Sequence, residues 1–151
     1  MSIQTEIAPR ALYRAIGDKL TALSANFEDR VYARFHPFSA NIEEQIFPYV
    51  VMVFVGGGDQ DVTRTKDAEL SMQVVCYSDN AEEAEAGALS IDNALDGYGT
   101  QESSAVNWLD GQTWVITSVT AGRTISTTQQ FENAKVVFMD GKTYRVTMEI
   151  I

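Results

Sequence analysis

The chain has 151 residues, a formal net charge of −10 and a hydrophobic share of 45%; such a length can bury roughly two thirds of its unfolded surface, and the composition is not that of a disordered chain. One cysteine, Cys76, and one histidine, His36, exclude a disulfide framework and a cysteine-based zinc site, and they leave any histidine-dependent triad to a single residue. No apolar run approaches the roughly 20 residues of a membrane span, and the segment MSIQTEIAPR lacks the basic and apolar portions of a signal peptide.

The spacing of Leu12, Ile16, Leu20 and Leu23 predicts a helix over residues 8–25, with Pro9 in its first turn. A short strand over 30–35 follows, with Val31, Ala33 and Phe35 on one side. Residues 36–47 read as a loop that carries the apolar side chains Phe38, Ile42, Ile46 and Phe47. Pro48 can open a strand but not occupy its middle, and 49–55 (YVVMVFV) is an unbroken β-branched and aromatic run of the central-strand kind. A ten-residue connection, GGGDQDVTRT, leads to a strand over 66–77. There Ala68, Leu70, Met72, Val74 and Cys76 alternate with polar residues, the cleanest period of two in the chain.

A second helix is predicted over 80–95, with Asp79 and Glu82 as a capping box and a narrow stripe of Ala84, Ala88, Ile91 and Leu95. The remainder reads as two hairpins. Strands 105–109 and 113–120 flank Asp110-Gly111, and strands 134–139 and 142–150 flank Asp140-Gly141. The Thr-, Ser- and Gln-rich stretch 121–133 reads as a loop between them. With no repeat and no linker, residues 1–151 form one α+β domain: a mostly antiparallel sheet with two main helices packed on it and long loops. Three long loops exceed the usual connection length of about 4–6 residues, and segments of this kind order on assembly with a neighbour.

The charge is segregated. From residue 67 to residue 122 there are ten acids and no Lys or Arg, and the rest of the chain balances at eleven of each. A segment without basic residues is a poor nucleic-acid binder. It is either a solvated acidic surface or a wall past which a polyanion moves without sticking.

Chemical motifs do not assemble. Gly56-Gly57-Gly58 lacks the later Gly-Lys-Ser/Thr of a phosphate loop and opens no helix. His36 precedes Pro37 in a loop, without a GxSxG nucleophile elbow anywhere in the chain. Cys76 sits on the inward side of its strand as a small core residue. Asp59 and Asp61 start like a calcium loop, but Leu70 stands where the closing Glu belongs. Trp108 and Trp114 read as a pair across a hairpin, not as a stacking platform. No catalytic, cofactor-binding or metal site is expected, and the chain is not expected to be an enzyme.

The succession ALYRAIGDKLTAL, RVYARF, FPYVVMVFV, AELSMQVVCYS and DNAEEAEAGALSIDNAL resembles the tail-completion, or tail-terminator, family of long-tailed bacteriophages. The resemblance rests on Pro48-Tyr49 at the entry to a β-branched strand, on the strand ending at Tyr77-Ser78-Asp79, and on the alanine-rich helix after it. It implies a virion protein, assembled in the cytoplasm of a host bacterium, that forms a ring, typically a hexamer. Such a ring ends the growth of the tail tube and meets the head connector. Its implied partners are copies of itself, the tube protein and the head completion protein, with DNA passing through unbound and no membrane or cofactor involved. As loop residues, Phe38, Ile42, Phe47, Asp59, Asp61 and Arg64 are the candidate partner contacts. The alternative from another class is an acidic DNA mimic that occupies the cleft of a nucleic-acid-binding protein.

Overall fold

The computed structural model describes residues 2–33, 46–57, 67–97, 105–107, 113–130 and 136–150. In its first helix, α1 (Ser2–Thr21), Leu12, Ile16 and Leu20 are fully buried, so the stripe read from spacing is the face that meets the core. The helix begins and ends earlier than the predicted 8–25. Its last turn tightens as the Leu23 N–H donates to the Leu20 carbonyl and the Thr21 hydroxyl donates to the Asp18 carbonyl. Pro9 therefore lies inside the helix, where it withholds one N–H from the ladder. The chain then reverses through Glu28, at φ +53°, with Phe27 fully buried beneath the turn.

Six strands follow, β1 (Val31–Ala33), β2 (Tyr49–Gly57), β3 (Asp67–Ser78), β4 (Ala105–Asn107), β5 (Thr113–Gln130) and β6 (Val136–Ile150), with α2 (Ala81–Leu95) between β3 and β4. They form one sheet in the order β1-β2-β3-β6-β5-β4. All pairings are antiparallel except β1 with β2. The α+β reading holds, with a parallel edge that hairpin logic did not contain. The long stretch between Ala33 and Tyr49 supplies the crossover that a parallel pair requires. Arg30 ties the two strand starts together: its N–H groups donate to the Pro48 and Asn26 carbonyls at 2.8 and 3.2 Å, and Val50 donates to its carbonyl.

The alternation predicted for β3 is the burial observed. Leu70, Met72, Val74 and Cys76 face the helices, joined there by Val50 and Met52 of β2, Tyr144, Val146 and Met148 of β6, and Ile116 and Val119 of β5. The glycine run begins as strand, since Gly56 and Gly57 pair with Ser71 and Leu70 beyond a bulge at Val55. The predicted turn at Asp110-Gly111 lies outside the described residues, although β4 and β5 on either side of it do pair antiparallel.

The second predicted hairpin is a correction. Asp140-Gly141 is no turn, because β6 runs straight through it between β3 and β5. Likewise 121–130, taken as loop, is the distal half of the 18-residue β5. The reason at Gly141 is close approach of backbone. A Cβ there would stand 2.1 Å from the Val74 carbonyl oxygen and 2.7 Å from the Val75 Cα, so only glycine fits mid-strand. In 121–130 the β-branched threonines favour extended backbone, and their hydroxyls tolerate the solvent that an edge region meets.

α2 is capped by Asn80, not by the predicted Asp79–Glu82 box. The Asn80 side-chain oxygen accepts from the Glu82 and Glu83 N–H groups. Ala84, Ile91 and Leu95 are buried as expected, whereas Ala88 is only half-buried and Gly87 is the remaining inward position. A Cβ on Gly87 would lie 2.3 Å from the Cys76 Sγ, which sets how closely helix and sheet approach. Asp92 then fixes the register of α2: it accepts from the Lys142 ammonium at 3.0 Å and from the Tyr144 hydroxyl at 3.1 Å.

Gly141→Ala should lower unfolding stability in urea by about 3 kcal/mol. Gly17→Ala should raise it by about 0.5 kcal/mol, since its Cβ would meet only the flexible end of Met52 at 3.4 Å and helical propensity improves. Asp92→Asn should cost about 1 kcal/mol in the same assay, a modest figure because the ion pair is partly solvated.

Candidate functional site

Both described helices lie on the face of the sheet that carries the even-numbered residues of β3 and β6. The opposite face carries the odd-numbered set, and neither described helix covers it. It divides into two regions along the strands.

One end is aromatic. Tyr49 and Tyr77, neighbours across β2 and β3, stack at 5.0 Å with their planes 6° apart. Phe47 stacks on Tyr49 at 5.6 Å, and Tyr32 of β1 meets the same ring edge-on at 6.3 Å. Val51 and Val75 continue the apolar strip inward, each under a tenth exposed. Beside Phe47, Ile46 stands 64% exposed. Burial pushes the Tyr49 phenol up to about 12, with Tyr77 adding to the effect, and burial also raises the Tyr77 phenol.

The other end is polar and concave. A groove of about 970 Å³ runs over Ser71 and Gln73 of β3, Thr143 and Arg145 of β6, and Arg123 and Ile125 of β5. Its curvature comes from a bulge: one extra residue of β5 is inserted between Ala121 and Thr124. Gly122 at the bulge brings β5 against the Thr143 carbonyl, which a Cβ would meet at 3.1 Å. A second bulge in β5 lies at Thr117, whose hydroxyl donates to the Thr147 carbonyl at 3.0 Å.

On the helix side, the acids of the basic-free stretch divide between structural and surface roles. Glu83 accepts from the Ser78 hydroxyl at 2.8 Å, Asp92 holds Lys142 and Tyr144, and Asp96 accepts from the Ala121 N–H. Glu82 is exposed on α2, while Glu85 and the 61% exposed Leu89 line a depression of about 170 Å³ with Thr124, Ile125 and Lys142.

Nothing among the described residues assembles a reactive centre. No group of three or more His, Cys, Asp or Glu is placed to hold a metal. Cys76 is buried on the helix side, and its thiol is pushed up to about 12 by burial, then by Asp140 and Glu83, with Arg30 opposing. Burial, the Asp92 charge and hydrogen bond, and Asp96 raise the Tyr144 phenol. No described helix is long and apolar enough to cross a membrane.

Of the candidate contacts read from sequence, Phe47 falls in the aromatic ladder. Phe38, Ile42, Asp59, Asp61 and Arg64 lie outside the described residues, as do His36 and Trp108. Trp114 lies in β5 opposite Val106. Tyr49 and Tyr77 entered the sequence reading only as marks of the resemblance, not as contacts, and Tyr32, Arg123 and Arg145 carry no signal in it. The unbroken run 49–55 was the available signal, because a strand with one solvated face alternates and this one does not.

No protein-family model matches the chain, and no curated protein sequence is similar to it. Among solved structures it is similar to a chain from the virion of a native gene transfer agent particle, with a TM-score of 0.56, 17% identity, and coverage of 95% of this chain and 97% of that one. The two share a fold over nearly their whole lengths.

Stability should fall as pH rises above the ordinary thiol value of 9.0 at Cys76 and the ordinary phenol value of 10.0 at Tyr49, Tyr77 and Tyr144, all raised in the folded chain. Above those values the unfolded chain releases protons that the folded chain retains, so alkali favours unfolding. Urea midpoints should decline within this range, with a shallower decline for Tyr144→Phe. Tyrosinate absorbance should lag that of the unfolded chain.

Proposed function

We propose that this chain is a structural protein of a phage-type virion that acts by association, not catalysis. The observation that carries the reading is the shared fold with a component of a gene transfer agent virion over 95% of the chain. The finer reading is a tail terminator: a ring, hexameric by analogy with the family it resembles, at the head-proximal end of the tail tube. There it ends tube growth and accepts the head connector. The elements behind the resemblance support it. Pro48-Tyr49 opens β2, β3 ends at Ser78, and the alanine-rich α2 follows directly.

The described surface suits such work. An aromatic ladder flanked by exposed Ile46 is the kind of anchor that protein interfaces use. Acids along a basic-free stretch would let DNA pass a ring without being held. The DNA-mimic alternative loses ground because Glu83, Asp92 and Asp96 are tied into contacts that hold α2 and β5 in place, not arrayed for a partner.

Removing the gene for this chain from a particle-producing cell should leave filled heads and separate tails of uncontrolled length in electron micrographs, and mass spectrometry of intact particles should find the chain in the tail fraction. Particles of normal form and infectivity without the chain would overturn the reading.

A further inference from the structure

We infer that the outer edge of β5 over residues 124–130 is a docking site for a second copy of this chain, which adds the same strand in antiparallel register and continues the sheet across the pair. The contact goes beyond the virion reading and does not depend on it. It is isologous, so it closes at two copies.

The outer edge of β5 is covered in one part and open in another. Near the end of α2 it is covered: the Val119 carbonyl accepts from the Gly97 N–H at 2.8 Å, and the Ala121 N–H donates to the Asp96 carboxylate at 3.0 Å. The bulge between Ala121 and Thr124 then interrupts it. Beyond the bulge, β5 pairs with β6 on its inner side from Thr124 opposite Lys142 to Gln130 opposite Val136, and no described strand pairs with its outer side. All these residues are exposed except half-buried Ile125. Backbone N–H and C=O groups alternate between the two edges of a strand. Val119 and Ala121 use the outer edge, so the odd-numbered residues of β6 are the ones that serve β5. By that alternation Ile125, Thr127 and Gln129, opposite Gly141, Met139 and Val137, bond inward. Thr124, Ser126, Thr128 and Gln130 direct their backbone groups outward.

Self-complementarity names the occupant. Edges that avoid pairing carry Lys, Pro, an inward charge or a bulge; the stretch TISTTQQ has none of these. In a chain of net charge −10 it is a place where two copies meet without opposing like charges. Outward residues must meet outward residues, and the antiparallel arrangement that uses the whole stretch puts the two-fold axis at Thr127. Thr124 then faces Gln130 of the second copy, Ser126 faces Thr128, Ile125 faces Gln129, and Thr127 faces its own counterpart. Hydroxyl pairs across strands favour such an arrangement. The helix-side rim adds an apolar element, since Leu89, 61% exposed, lines a depression of about 170 Å³ with Thr124 and Ile125. In the pair this depression lies beside Gln130 of the second copy. A strand from a different protein would satisfy the same backbone groups, but the side chains here already match themselves.

The test is sedimentation velocity of the full chain over a range of concentrations, at low and high salt, with circular dichroism to confirm folding. The wild-type chain should form a dimer that high salt does not weaken, because screening relieves the repulsion between two acidic subunits and no ion pair is lost. Ser126→Pro removes one outward N–H and should weaken dimerisation about tenfold or more. Thr127→Cys should join two copies through a disulfide on mild oxidation, since the axis brings the two Cα atoms to about 4.5 Å in a non-hydrogen-bonded pair. Gln129→Cys, whose two copies lie far apart along the strands, should not; the native Cys76 is buried and does not compete. The inference fails if the wild-type chain stays monomeric up to its solubility limit, if folded Ser126→Pro dimerises like wild type, or if position 129 cross-links as readily as 127. It fails equally if the chain stays monomeric and takes an extended segment of another virion protein on this edge. A monomeric chain found in tails removes this contact and leaves the virion reading; a dimer missing from particles does the reverse.

Discussion

The close seating of α2 on β3 and β6 is the constraint from which the rest of the molecule follows. Gly87 lets the helix lie against Cys76, with no room for even one added carbon, and Asp92 locks its rotation through Lys142 and Tyr144. Because that approach is tight, it fixes which side of β6 carries Tyr144, Val146 and Met148. With the even-numbered side committed to the helices, the odd-numbered residues can only form a second surface. The position of one glycine on a helix thus decides which residues form that second surface.

That second face combines two kinds of surface. Its aromatic end offers large, stiff side chains that lose little freedom on contact, while its grooved end offers charge and hydroxyls, which select a partner more than they hold it. The bulges in β5 give the grooved end its shape and keep that long strand from being a flat template for indiscriminate pairing. Two of the exposed arginines, Arg123 and Arg145, lie in that depression, while a third, Arg14, stands on α1.

Much of this architecture was legible in the sequence. The periods of α1, β3 and α2 gave their buried faces correctly, because in each case one side is apolar and the other polar. Failures came where local chemistry permits two outcomes. Asp140-Gly141 carries a turn signature, yet its glycine is required by the backbone of β3, a residue distant in sequence. The polar run 121–130 has no apolar alternation because the edge region of β5 has little core to face, so its strand character lies only in its threonines. Asn80 took the cap from Asp79 by one residue, a distinction that the part-buried Ser78–Glu83 hydrogen bond makes and spacing does not. The candidate site was legible only at Phe47. A groove between three strands depends on which strands are neighbours, and the β3-β6-β5 order reverses what consecutive hairpins suggest.

The placement of β6 has a consequence for the order of folding. It is the last described strand in the chain and yet sits in the middle of the sheet, with β3 from the opposite half of the chain on one side and β5 on the other. Until it docks, β3 has an open flank and α2 has neither Lys142 nor Tyr144 to rest on. Closing the sheet therefore waits on a contact between residues far apart in sequence, which makes it a slow step relative to the local helices.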